Sequence, residues 1–220
     1  MTNHNSAWLH TYSGRQFWPL KPQKKDVCMT DIAHALSLIC RFNGHCNRFY
    51  SVAEHSIRVA HLVSELTATQ QHRHPDRLLG ALLHDSAEAY LCDLPSPIKR
   101  TMPEYKIHET AVLASIMARV CLPFGTSFSQ RLYEDITGLA DRRLLATEAR
   151  DLLSPPPAEW LPLPPPVSAS IYPWPSSVAE SVFFTIYRRL RDGDWLAPSD
   201  FVAVFKEDLE NYSSTSAPAF

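Results

Sequence analysis

The stretch "LLGALLHDSAEAYLCDLPSPIK", residues 78–99, decides how this chain is read. It starts as a buried helix, with four leucines, a glycine and an alanine ahead of His84 and Asp85. Glu88 follows one turn later, and Asp93 stands in a segment broken by Pro95 and Pro97. In a continuous helix His84 and Glu88 face the same way, while Asp85 points about 100° round the axis. Burying such groups among leucines without partners would cost several kcal/mol. A divalent cation would remove that cost and give the cluster a purpose.

One helical turn supplies too few ligands, so partners must come from elsewhere. "SVAEHS" (51–56) opens a helix with Ser51 and Glu54 spaced as a capping box. His55 in that helix shares a stripe with Val59, Leu62 and Leu66 and therefore points inward. In "ADRRLLATE" (140–148), Asp141 shares a stripe with Gly138 and Leu145. His55, His84, Asp85 and Asp141 then form an N₂O₂ donor set suited to a transition metal. Each residue also has a plainer reading, since an inward histidine is ordinarily a satisfied core residue and an aspartate a cap.

The remaining sequence fits one mostly helical domain. Its 220 residues, 45% apolar and 20% charged, are the composition of a globular protein. The net charge of −2 advertises no basic surface for a nucleic-acid polymer or a membrane. There is no apolar run of about 20 residues for a membrane span and no signal-peptide layout. Five irregularly spaced cysteines read as reduced thiols of a cytoplasmic protein. A short hairpin is expected around Ser13-Gly14 within residues 7–22. Helices are expected from Thr30-Asp31, either of which can cap, through Phe42, and over 51–66, 78 onward, 104–120, 130–153 and 177–191. A polar loop covers Thr67–Asp76, and a frayed tail follows the last helix. Nine of the 18 prolines fall between Pro155 and Pro175, which reads as extended chain. The divisions expected are an extension over 1–29, a core over 30–153, a Pro-rich segment over 154–176 and a C-terminal helix and tail over 177–220.

"SVAEHS", "LLHDSAEAYLCDLPSPIK" and "ADRRLLATE" resemble, in order and spacing, the His…His-Asp…Asp pattern of the HD superfamily of metal-dependent phosphohydrolases. The nearer likeness is to the 5′-deoxynucleotidase branch, which carries A-E-H-S, H-D-x-x-E, D-L-P-x-P-x-K and a final Ala-Asp. "PEYKIHETAV" (103–112) also fits that branch, where a Tyr-Lys-x-x-Glu stretch follows the D-L-P motif. "GRQFWPLKP" and "DIAHALSLICRFNGH" are similar to a narrower set of phage and bacterial members that includes dATP triphosphohydrolases. The resemblance implies an all-α HD bundle and a divalent metal (Zn, Mn, Co, Fe or Mg) on His55, His84, Asp85 and Asp141. It makes Glu88 the acid/base residue, places Arg41 and Phe42 beside the substrate, and sets Asp93 near the deoxyribose 3′-hydroxyl.

Arginine matches phosphate oxygens with a planar, always-charged fork, which suits Arg41 to that place. His34, seven residues earlier, would share its helical stripe and could donate to a phosphate or leaving oxygen. Phe17 and Trp18 are further aromatic candidates for a base. The function expected is hydrolysis of the 5′-phosphoester of a nucleotide by a homo-oligomer. Lys99, Arg100 and Lys106 add positive charge downstream, which tips the reading towards a dATP triphosphohydrolase releasing tripolyphosphate. A 5′-deoxynucleotidase acting on monophosphates is the alternative. A regulatory domain that binds a nucleotide without turnover would be expected to lose a ligand or Glu88, and all are present. An HD-type oxygenase would need further histidines at helical spacing beside the HD pair, and these are missing.

Overall fold

A computed structural model describes residues 7–69, 74–122, 128–158, 160 and 162–215. Parts of the expected polar loop, the first residues of the extension and the end of the tail lie outside them. The described chain is a helical bundle with one small hairpin, β1 (Leu9–His10) and β2 (Gln16–Phe17), paired antiparallel. Gly14, at φ 78°, closes the hairpin turn. Ser13 donates from its amide and its hydroxyl to Asp31, at 2.6 and 2.9 Å, and so docks the hairpin on the first helix. Asp31 therefore does not cap; α1 (Met29–Leu38) starts earlier, after Cys28, without a side-chain cap.

Ser51 does cap α2 (Val52–Thr67), accepting from the Glu54 amide at 3.1 Å. Helix α2 runs through the middle of the protein, buried on most of its circumference. Around it pack α3 (Pro75–Leu82), α7 (Phe128–Leu152) and α8 (Ser176–Arg191). The short α4 (Glu88–Leu91) leans on α1, and α5 (Ser96–Lys99) and α6 (Pro103–Arg119) lie at one side.

Three expectations need correction. Helix α1 stops at Leu38 because Ile39 and Cys40 turn extended. The Ile39 carbonyl then accepts from Val52, and Arg41 N–H donates to Tyr50. This exchange of helix for bridge removes the stripe expected to join His34 to Arg41. The helix opening at Leu78 is likewise two: α3 ends at Leu82, and α4 begins at Glu88. Between them the backbone tightens into three-residue turns, with the amides of Ser86, Glu88 and Ala89 donating to the carbonyls of Leu83, Asp85 and Ser86. Finally, the tail is helical: α9 (Pro198–Thr215) sets Phe201, Val204 and Phe205 against the bundle.

The Pro-rich segment is a strap along α7. Prolines have no N–H to give but keep their carbonyls, so the helix supplies the donors. Arg143 donates to the Pro165 carbonyl and Arg150 to those of Val167 and Ala169. Thr147 accepts from the Val167 amide and Asp151 from that of Ile171. The strap ends at Trp174, whose amide donates to the buried Glu54 carboxylate at 2.8 Å. Arg58 holds the other Glu54 oxygen at 2.7 and 2.9 Å and lies 4.8 Å from the Trp174 ring.

Arg58→Ala strands the Glu54 carboxylate inside the bundle, so it should cost about 3–5 kcal/mol of stability by denaturant unfolding. Glu54→Ala/Arg58→Ala together should cost clearly less than the two singles added, because no charge is then left unpaired. Additive losses would show that the two side chains do not act as a pair.

Candidate metal centre and active site

Three backbone segments converge beneath the strap-bound helix α7. Helix α2 brings His55, fully buried; the turn between α3 and α4 brings His84 and Asp85; α7 brings Asp141. His55 Nε2 lies 3.2 Å from Asp141 Oδ1 and 3.6 Å from Asp85 Oδ2, and His84 Nε2 lies 3.2 Å from Asp85 Oδ2. Ligand atoms of His55, His84 and Asp85 all fall within 4.8 Å of one another, close enough to share one ion.

Each imidazole is oriented by the nitrogen that faces away. His55 Nδ1 sits 2.6 Å from Glu148 Oε1, and His84 Nδ1 sits 2.8 Å from the Ala81 carbonyl. A proton on each Nδ1 satisfies those acceptors and leaves both Nε2 atoms as lone-pair donors. Both Nε2 atoms are buried and, apart from the facing carboxylates, have no polar partner among the described residues. Two inward lone pairs next to two carboxylates are a donor set that fits a divalent transition metal.

The surrounding carboxylates favour positive charge at this place. Burial and Arg41 push the His55 imidazole down, but Glu148 and Asp141 prevail and raise it to about 9. Asp85, despite its burial, is held well below the ordinary carboxylate range by His84, His55 and Arg41.

Glu148 lies within the quoted "ADRRLLATE", yet no role attaches to it in the sequence reading. It is two turns beyond Asp141 on the same side of α7, which was the available signal. Its Oε1 faces His55, and its Oε2 accepts from Arg41 Nε and Nη2 at 3.2 and 3.0 Å. Burial raises its carboxyl, but Arg41 and His55 win and hold it at about 2, so it is an anion. Arg41 thus has two of its three nitrogens occupied, and Nη1 points towards Asp85 at 3.7 Å.

Arg41 enters the site from a tight turn, the 3₁₀ segment Arg41–Gly44, in which Phe42, Asn43 and Gly44 all have positive φ. Left-handed backbone at Phe42 and Asn43 is strained, and such strain collects at functional sites. The turn leaves the Phe42 ring half-buried, 5.5 Å from the Arg41 guanidinium.

Glu88 is buried, and its Oε2 has no hydrogen-bond partner among the described residues. Burial first, then Asp85 and Asp93, push its carboxyl up to about 10. Its surroundings thus favour the neutral form, and a cation among these carboxylates would act the other way. Asp93 is half-buried within electrostatic reach of Arg41, Asp85 and His55.

Other sequence candidates sit elsewhere. His34 stacks on Tyr12 at 3.6 Å and pairs with Glu180 of α8 at 3.1 Å. Phe17 is in the core, stacked on Tyr90 at 3.7 Å. Lys99 is engaged by Glu109, and Lys106 is exposed on α6.

A model of the YfbR-like family, described as 5′-deoxynucleotidase YfbR-like, matches residues 30–152. The chain is 39% identical over 146 residues to the uncharacterized protein YfdR of Escherichia coli, covering 66% of this chain and 72% of that one. It is 37% identical over 121 residues to an uncharacterized protein of Rhodobacter capsulatus, with 53% and 60% covered. It is 31% identical over 113 residues to a 5′-deoxynucleotidase of Pasteurella multocida, with 47% and 57% covered. The chain thus spans only about three fifths of the last two relatives. No described helix is long and apolar enough to cross a membrane. The family match takes in both histidines, all the facing carboxylates and Arg41, and on it the chain belongs to the YfbR-like 5′-deoxynucleotidases, enzymes that hydrolyse nucleotide phosphoesters.

Proposed function

We propose that this protein is a metal-dependent 5′-deoxynucleotidase, cleaving 2′-deoxynucleoside monophosphates to nucleoside and orthophosphate. The observation that carries this reading is the pair of buried Nε2 atoms turned onto Asp85 and Asp141. In this reading His55, His84, Asp85 and Asp141 hold the metal. Such a cation lowers the pKa of bound water to near neutrality and polarises a phosphoryl oxygen.

The chain's own residues do the rest. Arg41, held by Glu148 through Nε and Nη2, presents Nη1 to a phosphate oxygen on the Asp85 side. Glu88 orients the attacking water and passes a proton to the leaving 5′-oxygen. Asp93 accepts from the sugar 3′-hydroxyl, and Phe42 lies where a base or sugar can pack. A homo-oligomer remains part of this reading.

Charge favours the monophosphate. The divalent cation is offset by Asp85 and Asp141, and Arg41 by Glu148, so the site carries no positive surplus. A triphosphate adds about two negative charges, which a partly desolvated site must match. Lys99, one of the cations that suggested such a substrate, is already paired with Glu109, and Lys106 is out in solvent. The 5′-deoxynucleotidase name of the Pasteurella multocida relative points the same way. The triphosphohydrolase expected from the N-terminal motifs is therefore set aside.

Anion chromatography of the products tests this directly. dAMP should give orthophosphate, dATP should stay intact, and chelation should abolish turnover until metal is restored. Tripolyphosphate released from dATP would return the triphosphohydrolase reading.

His84→Ala and Asp85→Ala should lose bound metal and activity together. Glu88→Gln should retain metal, measured by elemental analysis, while losing roughly 10²–10⁴ in kcat. A metal-free Glu88→Gln protein would make Glu88 a ligand instead.

Glu148→Gln keeps the size of the side chain but removes the anion that orients two partners. It should weaken metal binding roughly 10–100-fold, as loss of a histidine's outer partner does, and raise KM through Arg41. Wild-type metal affinity in that variant would remove Glu148 from the site.

A further inference from the structure

The Tyr-Lys-x-x-Glu stretch, 105–109, has no part in the chemistry above, yet two of its side chains grip the segment that carries Asp93. Cys92 has φ 65° and ψ 162°, a region occupied almost only by glycine. A cysteine there is strained and needs outside support. Its N–H donates to the Glu88 carbonyl at 2.8 Å, which closes α4. Its carbonyl accepts from the Tyr105 hydroxyl at 2.8 Å, with the Leu91 carbonyl a longer second acceptor at 3.4 Å. At the far end of the segment Glu109 pairs with Lys99, whose ammonium also lies 5.8 Å from the Tyr105 ring. Helix α6 therefore holds residue 92 and residue 99 at once, and the chain between them contains Asp93 and two prolines.

We propose that Tyr105 is a positioning residue for recognition of the sugar: by pinning the Cys92 carbonyl it forces the backbone reversal that aims Asp93 into the site. The inference rests on the proposed role of Asp93 at the 3′-hydroxyl. Tyr105 itself touches neither phosphate nor metal. Without its hydroxyl, Cys92 relaxes to an ordinary conformation, and a rotation there swings the next residue away from Arg41 and Asp85. Glycine at 92 adopts the same backbone unaided, which makes it the rescuing change.

The test compares dAMP with 2′,3′-dideoxyadenosine 5′-monophosphate, using the metal-loaded full chain. Wild type should prefer dAMP. Tyr105→Phe should lose roughly 10-fold in kcat/KM on dAMP, chiefly through KM, as for one lost hydrogen bond to a charged group, and change little on the dideoxy substrate. Cys92→Gly placed in the Tyr105→Phe background should restore most of the preference. An undiminished preference in Tyr105→Phe overturns the proposal. So does an equal loss on both substrates that glycine fails to restore, the mark of a merely structural tyrosine. A wild type indifferent to the 3′-hydroxyl overturns it along with the role of Asp93. If wild type leaves dAMP untouched, it is the proposed function that fails, and melting temperatures then read the latch. Cys92→Gly should recover part of the Tm lost in Tyr105→Phe, and strictly additive shifts overturn the coupling.

Discussion

The arrangement around the candidate metal centre depends on one buried carboxylate. Glu148 accepts a hydrogen bond from His55 Nδ1 on one oxygen and the Arg41 fork on the other. It thereby orients the imidazole of a candidate ligand and the Arg41 guanidinium together, across α7, α2 and the turn after α1. An anion with no exposed surface is tolerable only because both partners are charge-complementary and close. Two of the other candidate ligands, and Arg41, can then be brought up on less regular chain. His84 and Asp85 sit on a turn, and Arg41 sits on a left-handed reversal.

The strap extends the same logic outward. Helix α7 carries Asp141 and Glu148 on its inner side and, on the other, the arginines and Thr147 that bind the proline-rich chain. Glu54, the neighbour of His55 on α2, receives the end of that chain at Trp174. Adjacent residues of α2 thus serve different ends: one faces the candidate metal centre and the other anchors the segment leading into α8. Burial raises the Glu54 carboxyl above its ordinary value, and Arg58 with the Trp174 amide offsets only part of that rise.

Much of this was legible in the sequence where periodicity and chemistry agreed. The inward positions of His55 and Asp141, the Ser51 cap and the hairpin at Ser13-Gly14 each follow from local rules. The interruptions did not. "HALSLICRF" has helical patterning throughout, and only the pairing of Ile39 to Arg41 with 50–52 ends the helix. "LLHDSAEA" likewise reads as continuous helix, and the tight three-residue turns that break it leave no local mark in the sequence. Glu148 was passed over because a carboxylate late in a long helix looks solvated until its two partners are known. Lys99 looked free for the converse reason, since its partner Glu109 lies on the next helix.

Helix α8 has a temporal consequence. All four candidate ligands lie at or before residue 141, yet α8, which begins at Ser176, fills the space between α1, α2, α3 and α9. A chain emerging from the ribosome therefore presents His55, His84, Asp85 and Asp141 before the core behind them can close. Val182, Phe183 and Ile186 must still be made, and the strap must be laid along α7, before α1, α2 and α3 have their buried neighbour. Contacts of such long sequence separation slow folding. The nascent site is thus exposed to stray cations and to other chains for the time needed to translate about 50 residues, at 5–20 residues per second.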